Sequence, residues 1–359
     1  MAKVLVTGGA GFIGSHTCKA LAAAGHIPVV YDSLERGHKS AVLWGPLETG
    51  NLLDTERLIA CIHHHEPSAI VHFAAYAYVG ESTECPGLYY LNNVGGTASL
   101  VEAMRRTGLR AAVFSSTCAI YGTPAYVPVA EACPPNPLSP YGRSKKMAED
   151  LFRDAETAHG VRTVRLRYFN AAGADPDGEI GERHDPETHA IPLAILAMLG
   201  HAPAFRLFGT DYDTPDGSAV RDYIHVMDLA SAHVAALDHL LAGGGSLDVN
   251  LGTGTGHSVR EILSAIKRVS GRRVPVEINP RRAGDPSRLV ADNGRARRLL
   301  GWFPQRAGIE TIVADALHWF AKTGGNAYWP ASTRTSVRTT KATSASSIPA
   351  WSGSDSARS

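Results

Sequence analysis

The chain carries almost no net charge, because 35 lysines and arginines oppose 34 aspartates and glutamates. A balance of this kind provides no bulk attraction to nucleic acid or to an anionic membrane, so we expect neither as a partner. No stretch approaches the roughly 20 apolar residues that span a bilayer. The opening "MAKVLVTGG" has no apolar run of the secretory type. We therefore expect a cytoplasmic protein.

Cysteine is scarce as well. The five cysteines are Cys18, Cys61, Cys85, Cys118 and Cys133. An odd number without C-x-x-C spacing argues for a reducing compartment and against disulfides or zinc. Three consecutive histidines, His63–His65, end a predicted helix. Adjacent side chains on a helix point in different directions, so we expect no metal site there.

The residues that are present are those of an ordinary globular enzyme, 44% hydrophobic and 19% charged. Short apolar runs alternate with helical patterns over the first 170 residues. Strands are expected at "KVLVTGG", "IPVVYD", "AIVHFAA", "AAVFSS" and "RTVRLRYFN". Strand–helix alternation implies parallel strands with helices on both faces. The predicted fold is α/β, a Rossmann-like doubly wound parallel sheet with a smaller α/β domain.

The character of the sequence changes after Asn170. Residues 171–192 are rich in glycine, proline and aspartate, as expected of a long ordered loop over a substrate. A helix and a strand within about 218–256 are expected to return to the first domain. We predict an NAD-binding domain of residues 1–170 plus about 218–256, a substrate domain of 171–217 and 257–327, and a disordered Ser/Thr-rich tail of 328–359.

A glycine loop follows the first predicted strand. Gly9, Gly11 and Gly14 match G-x-G-x-x-G, and Gly8, Gly11 and Gly14 match G-x-x-G-x-x-G. Glycines of this spacing permit a tight turn, close approach of backbone to a pyrophosphate, and packing of the next helix on the strand. The helix N-terminus then offers free N–H groups to phosphate. A dinucleotide site is therefore predicted.

An acidic residue follows at the expected distance. Asp32 ends the second predicted strand, 18 residues beyond Gly14. A carboxylate there binds a ribose 2′-hydroxyl and repels a 2′-phosphate. This favours NAD over NADP, although nearby Arg36 keeps NADP open.

Tyr141 and Lys145 stand four residues apart in "SPYGRSK", which places them on one face of a helix. Ser139 and Pro140 are typical of an N-cap and a first helical residue. The pKa of free tyrosine is about 10, so a phenol needs nearby positive charge to accept a proton at neutral pH. A lysine ammonium and a nicotinamide ring would supply it. The pair predicts an acid/base site.

A run of hydroxyl groups, Ser115 to Thr117, ends a predicted parallel strand 24 residues upstream. Ligands bind at the carboxyl ends of such strands, so one hydroxyl could bond a substrate hydroxyl whose proton goes to Tyr141.

With these motifs, the chain resembles the extended short-chain dehydrogenase/reductase family over about residues 3–325, and within it the UDP-galactose 4-epimerases of the type that serves bacterial exopolysaccharide synthesis. The stretches that carry the resemblance are "VTGGAGFIGSH", "HFAAYAYVGES", "YYLNNVGGT", "FSSTCAIYG", "SPYGRSK", "RYFNAAGADPDGEIGE", "FGTDYDTPDGSAVRDYIHVMDLA" and "RRAGDP".

The resemblance implies a role for individual residues. Tyr141 is the implied catalytic base, Lys145 its electrostatic partner, and Thr117 the group that bonds the sugar 4-hydroxyl. The implied NAD site comprises Gly8, Gly11, Phe12, Ile13, Gly14, Asp32, Asn51, Leu52, Phe73, Ala74, Ala75, Asn92, Ser115, Tyr141, Lys145 and Tyr168. The implied nucleotide-sugar site comprises Thr117, Asn170, His189, Phe208, Arg221, Arg282 and Asp285.

Within that implied set, Phe208 would stack on uracil and Arg221 and Arg282 would bind the diphosphate, for which guanidinium groups are well suited. Asn51 stands where the family commonly has an aspartate that meets adenine. Leu289 stands where residue size relates to acceptance of N-acetylated sugars, and leucine leaves that acceptance open.

The implied activity is NAD-dependent interconversion of UDP-glucose and UDP-galactose through a 4-keto intermediate, in a homodimer formed by helices near 92–107 and 141–157. UDP-xylose/UDP-arabinose 4-epimerase, a dual-specificity form that also accepts N-acetylhexosamines, and a non-catalytic NAD-binding protein are the alternatives. A 4,6-dehydratase of the family would carry an Asp-Glu pair where this chain has Cys118 and Ala119.

Overall fold

The computed structural model describes residues 1–282 and 284–323. The predicted disordered tail, 328–359, lies outside the described residues. No helix within the described ranges combines the length and apolar character that a membrane crossing requires.

The described chain alternates strands and helices from its first residues. The strands are β1 (Lys3–Thr7), β2 (Ile27–Asp32), β3 (Leu47–Thr49), β4 (Ala69–His72), β5 (Ala111–Ser115), β6 (Arg162–Tyr168), β7 (Asn170–Ala172), β8 (Phe205–Phe208), β9 (Val220–Arg221), β10 (Tyr223–His225), β11 (Leu247–Leu251), β12 (His257–Ser258), β13 (Val276–Asn279) and β14 (Arg288–Leu289). The α-helices are α1 (Phe12–Ala23), α2 (Thr55–His65), α3 (Val79–Glu84), α4 (Pro86–Tyr89), α5 (Gly96–Thr107), α6 (Pro140–His159), α7 (Ala190–Leu199), α8 (Val226–Leu241), α9 (Val259–Ser270), α10 (Gly294–Leu300) and α11 (Ile309–Lys322). A π-helical turn, Tyr90–Gly95, leads into α5.

Seven strands form one parallel sheet in the order β3-β2-β1-β4-β5-β6-β11. The chain runs outward from β1 to β3 and then resumes on the other side of β1 at β4. This reversal creates the crevice at which doubly wound sheets bind ligands. The predicted doubly wound parallel sheet is confirmed.

Both faces of this sheet are buried, as its apolar sequence requires. Along β1, Val4 and Val6 join the apolar core under α1 and α8, while Leu5 joins the core under α2, α5 and α6. All three side chains are fully buried. Burial of one such side chain contributes about 1.5–3 kcal/mol, so both helical layers stabilise the sheet.

A second group of elements surrounds a third apolar core. Helices α7, α9 and α11 pack together beside β8, which pairs with β13. Two small sheets, β10-β7 and β12-β9-β14, complete the described elements. Residues 218–256 were predicted to return to the first domain, and α8 lies on the large sheet with β11 at its edge. The two-domain division itself stays a prediction.

Two features differ from the sequence prediction. Helix α11 was not predicted, although Ile312, Val313, Ala316 and Phe320 are buried along it. Its N-cap is Gly308, which gives no side-chain cap, so the usual start signal is absent. The helix predicted within about 218–256 begins only at Val226, because strands β9 and β10 precede it.

Two glycines set how closely α1 approaches β1. A Cβ atom on Gly14 would lie 2.2 Å from the Gly8 carbonyl oxygen. Gly8 has φ +74°, and a Cβ there would lie 2.5 Å from the Ala74 backbone nitrogen. Only glycine therefore fits at the crossing of α1 with β1 and the loop after β4.

We expect Gly14→Ala to lower the free energy of unfolding by about 1–3 kcal/mol, because the added methyl group overlaps backbone that cannot move alone. Gly80→Ala is the matched control, since a Cβ added at Gly80 would have no atom within 4 Å. Urea unfolding of both variants measures the difference. Equal stability of the two would contradict the close-contact account.

Candidate active site

The predicted ligand-binding residues gather at one edge of the sheet. The glycine loop follows β1, Asp32 ends β2, Phe73 follows β4 and Ser115 ends β5. Tyr168 ends β6, and its hydroxyl lies 2.7 Å from the Ser115 hydroxyl. Because parallel strands share one direction, residues distant in sequence meet at their carboxyl ends.

The N-terminus of α1 fits a pyrophosphate. Its N-cap, Gly11, has no side chain to bind the first N–H groups, and no acidic residue lies in the first turn. These N–H groups, including those of Phe12 and Ile13, and the partial positive charge of the helix suit a negative ligand. Gly8 and Gly14 keep the surrounding backbone close enough to form the cradle.

Asp32 is anchored beside this loop. One carboxylate oxygen accepts the Ala10 N–H at 3.0 Å, and the other accepts the Leu34 N–H at 2.8 Å. Burial raises the pKa of Asp32, and these two backbone bonds oppose the rise. The carboxylate is thus held at the end of β2, where a residue that binds the ribose hydroxyl is expected.

Arg36 is held by other groups. It donates to Glu81 at 2.7 Å, and its guanidinium carbon lies 4.7 Å from the centre of the Tyr76 ring and 5.0 Å from that of Tyr78. Arg36 thus already has partners within the protein. The arrangement favours NAD.

Two asparagines of the implied cofactor site bond to their neighbours. The Asn51 side-chain oxygen accepts the Leu53 N–H at 2.9 Å, and its amide nitrogen donates to Glu35 at 3.2 Å. One lone pair of the oxygen is left for adenine. Asn92 donates to the side-chain oxygen of Asn93 at 3.0 Å.

Helix α6 presents the acid/base pair. Ser139 accepts the Gly142 N–H at 3.1 Å and Pro140 is the first helical residue, as predicted. Tyr141 and Lys145 are 7% and 3% exposed. The Lys145 ammonium donates to the Ser115 carbonyl oxygen at 2.8 Å.

Thr117 lies at the other side of Tyr141. Its oxygen accepts the Ala119 N–H at 3.1 Å, which leaves its own O–H to donate. A hydrogen bond with Thr117 lowers the pKa of Tyr141. The structure thus brings Tyr141, Lys145 and Thr117 together at the end of β5.

Burial has the largest effect on the pKa values of Tyr141 and Lys145. Burial, followed by Tyr168, raises the pKa of Tyr141 well above its ordinary value, and the Thr117 hydrogen bond only partly opposes this. Burial likewise lowers the pKa of Lys145 to about 7. The expectation that Lys145 lowers the pKa of Tyr141 stays a prediction. The positively charged nicotinamide ring is the other group expected to lower the pKa of Tyr141.

Glu149 was missed by the sequence analysis. It is fully buried one turn beyond Lys145, and its charge raises the pKa of that lysine. Its carboxylate accepts from Ser116 at 2.7 Å and from Arg167 at 2.9 and 2.7 Å. The sequence shows that Glu149 lies four residues after Lys145. Its pairing with Arg167 could not be predicted, because Arg167 comes from a distant strand, β6.

The implied nucleotide-sugar residues converge through the small sheets. Leu289 pairs with Arg221 across β14 and β9, and the Asn170 N–H donates to the Asp222 carbonyl at 2.9 Å. Leu289 also packs in one apolar cluster with Phe169 and with Cys118, the neighbour of Thr117. This cluster joins the substrate elements to the end of β5.

Four of these residues form two pairs within the protein. Arg221 forms an ion pair with Asp285 and donates to the Val220 carbonyl at 2.7 Å. The guanidinium carbon of Arg282 lies 4.0 Å from the centre of the Phe208 ring. A uridine diphosphate would have to replace these internal contacts.

His189 is the N-cap residue of α7 and faces two carboxylates. Its Nδ1 lies 2.8 Å from Glu182 and 3.1 Å from Glu187. Burial would lower the pKa of His189, but these two glutamates raise it to about 10. The sequence analysis did not identify this cluster.

Comparison with known proteins gives matches over most of the chain. The family model described as "NAD dependent epimerase/dehydratase family" matches residues 4–252. The UDP-glucose 4-epimerase of Rhizobium meliloti (strain 1021) is 53% identical over 89% of this chain and 97% of its own length.

Solved structures agree with that match. The UDP-glucose 4-epimerase from Brucella ovis in complex with NAD has a TM-score of 0.87 and 53% identity, covering 89% of this chain and 98% of that chain. The enzyme from Stenotrophomonas maltophila, with bound NAD and formylated UDP-arabinopyranose, has a TM-score of 0.88 and 39% identity, covering 91% and 100%.

Thr117→Val removes the hydrogen bond that lowers the pKa of Tyr141, so that pKa should rise. The rise of epimerase activity with pH should then occur at higher pH. A hydrogen bond to a charged group contributes about 1.5–3 kcal/mol, so we expect a loss of about 10- to 100-fold at pH 7. Thr117→Ser keeps the hydroxyl and should keep the wild-type profile. An unchanged profile in Thr117→Val would exclude this role.

Proposed function

Because the chain belongs to the NAD-dependent epimerase/dehydratase family, with UDP-glucose 4-epimerases as close relatives, we propose that Tyr141, Lys145 and Thr117 carry out its epimerase chemistry. This membership confirms the resemblance found in the sequence. The chain is an NAD-dependent isomerase that interconverts UDP-glucose and UDP-galactose by reversible oxidation at C4 of the sugar. The observation that carries the residue assignment is the buried contact of Tyr141 with Thr117 beside Lys145.

The residues at the strand ends fit the cofactor. The uncapped N-terminus of α1 would hold the pyrophosphate, and Asp32 would hold the adenosine ribose. Lys145 and Ser115, joined by the bond to the Ser115 carbonyl, would lie on the nicotinamide side. When bound, NAD accepts a hydride from C4 and returns it. The close backbone packing that Gly8 and Gly14 allow at the start of α1 supports this placement.

Tyr141 handles the proton. Its phenolate accepts the proton of the sugar 4-hydroxyl as C4 becomes a ketone, and its phenol gives that proton back when the alcohol is restored. Thr117 orients the 4-oxygen, and Lys145 supplies positive charge beside the phenolate. All three residues are buried.

The uridine diphosphate is the part that does not move. Arg221 and Arg282 would bind the two phosphates, and Phe208 would stack on the uracil. Asp285, released from Arg221, would accept a hydroxyl of the uridine ribose. Binding energy from this end lets the sugar turn over and present its other face, so remote contacts support chemistry at C4.

Tyr141→Phe tests the assignment, because it removes only the proton-carrying oxygen. We expect a rate loss of about 10²–10⁴-fold, the usual contribution of acid–base catalysis. Tyr126→Phe is the control, since Tyr126 is 85% exposed. The assay separates UDP-glucose formed from UDP-galactose without added NAD, so it also reports a tightly held cofactor. Full activity of Tyr141→Phe would contradict the mechanism.

Other outcomes of that assay have defined meanings. Activity on UDP-xylose but not on UDP-galactose would move the assignment to the pentose epimerase. Activity on UDP-N-acetylglucosamine as well would indicate the dual-specificity form, with Leu289 allowing the acetamido group. Bound NAD without turnover of any UDP-sugar would support a non-catalytic protein.

We also propose that the chain forms a homodimer through α5 and α6. The surface there is apolar: Leu91 is 61% exposed and Met147 is 45% exposed. Together with Tyr90, Val94 and Gly95 they line a shallow depression between the π-helical turn and α6. A second copy would cover these side chains.

Leu91→Glu should convert the dimer to a monomer, because a carboxylate would be buried at the interface. Leu43→Glu, at a residue 52% exposed elsewhere, is the control. Light scattering after gel filtration gives the mass of each. A wild-type mass equal to one chain would remove the proposal.

A cytoplasmic location is proposed on the cysteines. All five are free, and three of them are buried. Reduced cysteines fit a reducing compartment. Supply of UDP-galactose for exopolysaccharide synthesis stays a prediction.

A further inference from the structure

A second cluster of ionisable side chains lies in the loop before α7. Its members are Glu182, His184, Glu187 and His189, and one ligand atom from each lies within 4.8 Å of all the others. We propose that this cluster is a binding site for one divalent transition-metal ion of the zinc type. Imidazole nitrogen and carboxylate oxygen are ligands that zinc prefers.

The spacing of the four atoms suits a tetrahedral ion. The Nδ1 atom of His184 lies 3.1 Å from Glu182 Oε1 and 3.7 Å from Glu187 Oε2. The Nδ1 atom of His189 lies 2.8 Å from Glu182 Oε1 and 3.1 Å from Glu187 Oε1. Ligands about 2.0–2.1 Å from zinc stand about 3.3–3.4 Å apart in a tetrahedron. Only small side-chain shifts would be needed.

The hydrogen bonds of Glu187 point to a further ligand. Its Oε1 accepts the N–H groups of Thr188 and His189, both at 2.8 Å, which fixes the carboxylate. The side chain is only 4% exposed, and its buried Oε2 makes no hydrogen bond. The Nδ1 of His184 is also buried without a hydrogen bond. Both atoms have ion-pair contacts, at 3.1 and 3.7 Å, but no hydrogen bond. Buried polar atoms without hydrogen bonds are costly, and a bound ion would satisfy both.

The surrounding residues hold the ligands in place. Trp319 donates to the Glu182 carbonyl at 3.0 Å, and a ring nitrogen of His38 lies 3.1 Å from the Arg183 carbonyl. The His184 ring packs edge-on against Phe12 and Tyr78, with ring centres 6.2 and 5.8 Å away. Supporting contacts of this kind orient metal ligands.

An ion here would have a structural consequence. It would fix the loop that precedes α7, and with it the His184 ring that packs against Phe12 at the N-terminus of α1. With its Nδ1 on the metal, His189 would keep its Nε2 for the substrate position that the resemblance implies. The metal proposal stands on this geometry and is independent of the epimerase assignment.

The competing arrangement contains no metal. Two protonated imidazoles paired with two carboxylates would also balance charge. The two arrangements differ in stoichiometry, because only one of them binds an ion in a saturable one-to-one manner.

Metal analysis of the purified, full-length protein decides between them. We expect about one zinc per chain by mass spectrometry, or, after treatment with a chelator, one saturable site for zinc chloride by calorimetry. Cobalt in the same site should give the visible absorption of a tetrahedral complex. Zinc should also raise the unfolding temperature.

Variants assign the site. His184→Gln and Glu187→Gln should each abolish the one-to-one binding. His64→Gln and His65→Gln are the matched controls, because His64 and His65 form the other histidine-containing group, with Glu48, in the described chain, and they should keep the binding. Absence of saturable binding by the wild-type protein would overturn the proposal and leave the ion-pair arrangement. Loss of binding only in the controls would overturn it too. Zinc content and zinc binding are both measured without turnover. A failure of the metal proposal can therefore be told apart from a failure of the proposed epimerase activity.

Discussion

Parallel strand pairing is the constraint on which the site depends. Seven strands with one direction must end at one edge, and this edge receives the glycine loop, Asp32, Ser115 and Tyr168 from four different strands. The reversal of order between β1 and β4 opens the crevice there. The contact of Gly14 with the Gly8 carbonyl then brings the N-terminus of α1 to the same place.

Burial determines the electrostatics of the site. Tyr141 and Lys145 both lose water, which favours their neutral forms: the pKa of the tyrosine rises and that of the lysine falls. Glu149 opposes this change at the lysine, and Arg167 holds that carboxylate in position with two hydrogen bonds. A buried ion pair of Glu149 with Arg167 therefore supports Lys145. The chemistry at C4 also relies on the charge of the bound cofactor.

Sequence identified the parts of the site that depend on local spacing. The glycine loop, Asp32 and the four-residue step from Tyr141 to Lys145 each lie within one strand–helix unit, so their geometry follows from the period of that unit. Local spacing does not predict contacts between segments that are distant in sequence. Arg221 with Asp285, and Arg282 with Phe208, were given separate roles by resemblance, and only the fold pairs them.

The same limit applies to the charged clusters. The carboxylates and imidazoles at 182–189 lie close in sequence, but their convergence depends on irregular backbone, for which no period exists. Helix α11 was missed because its first turn lacks a capping side chain, although it carries an apolar face.

The fate of the hydrogen at C4 tests the central claim most directly. UDP-galactose with deuterium at C4 would be converted by the purified protein in ordinary water, and the UDP-glucose formed would be analysed by NMR and mass spectrometry. The account predicts that the deuterium is retained at C4, because the same hydride leaves and returns within the site. Replacement of the deuterium by solvent hydrogen would contradict it, since C4 would then exchange a proton with water.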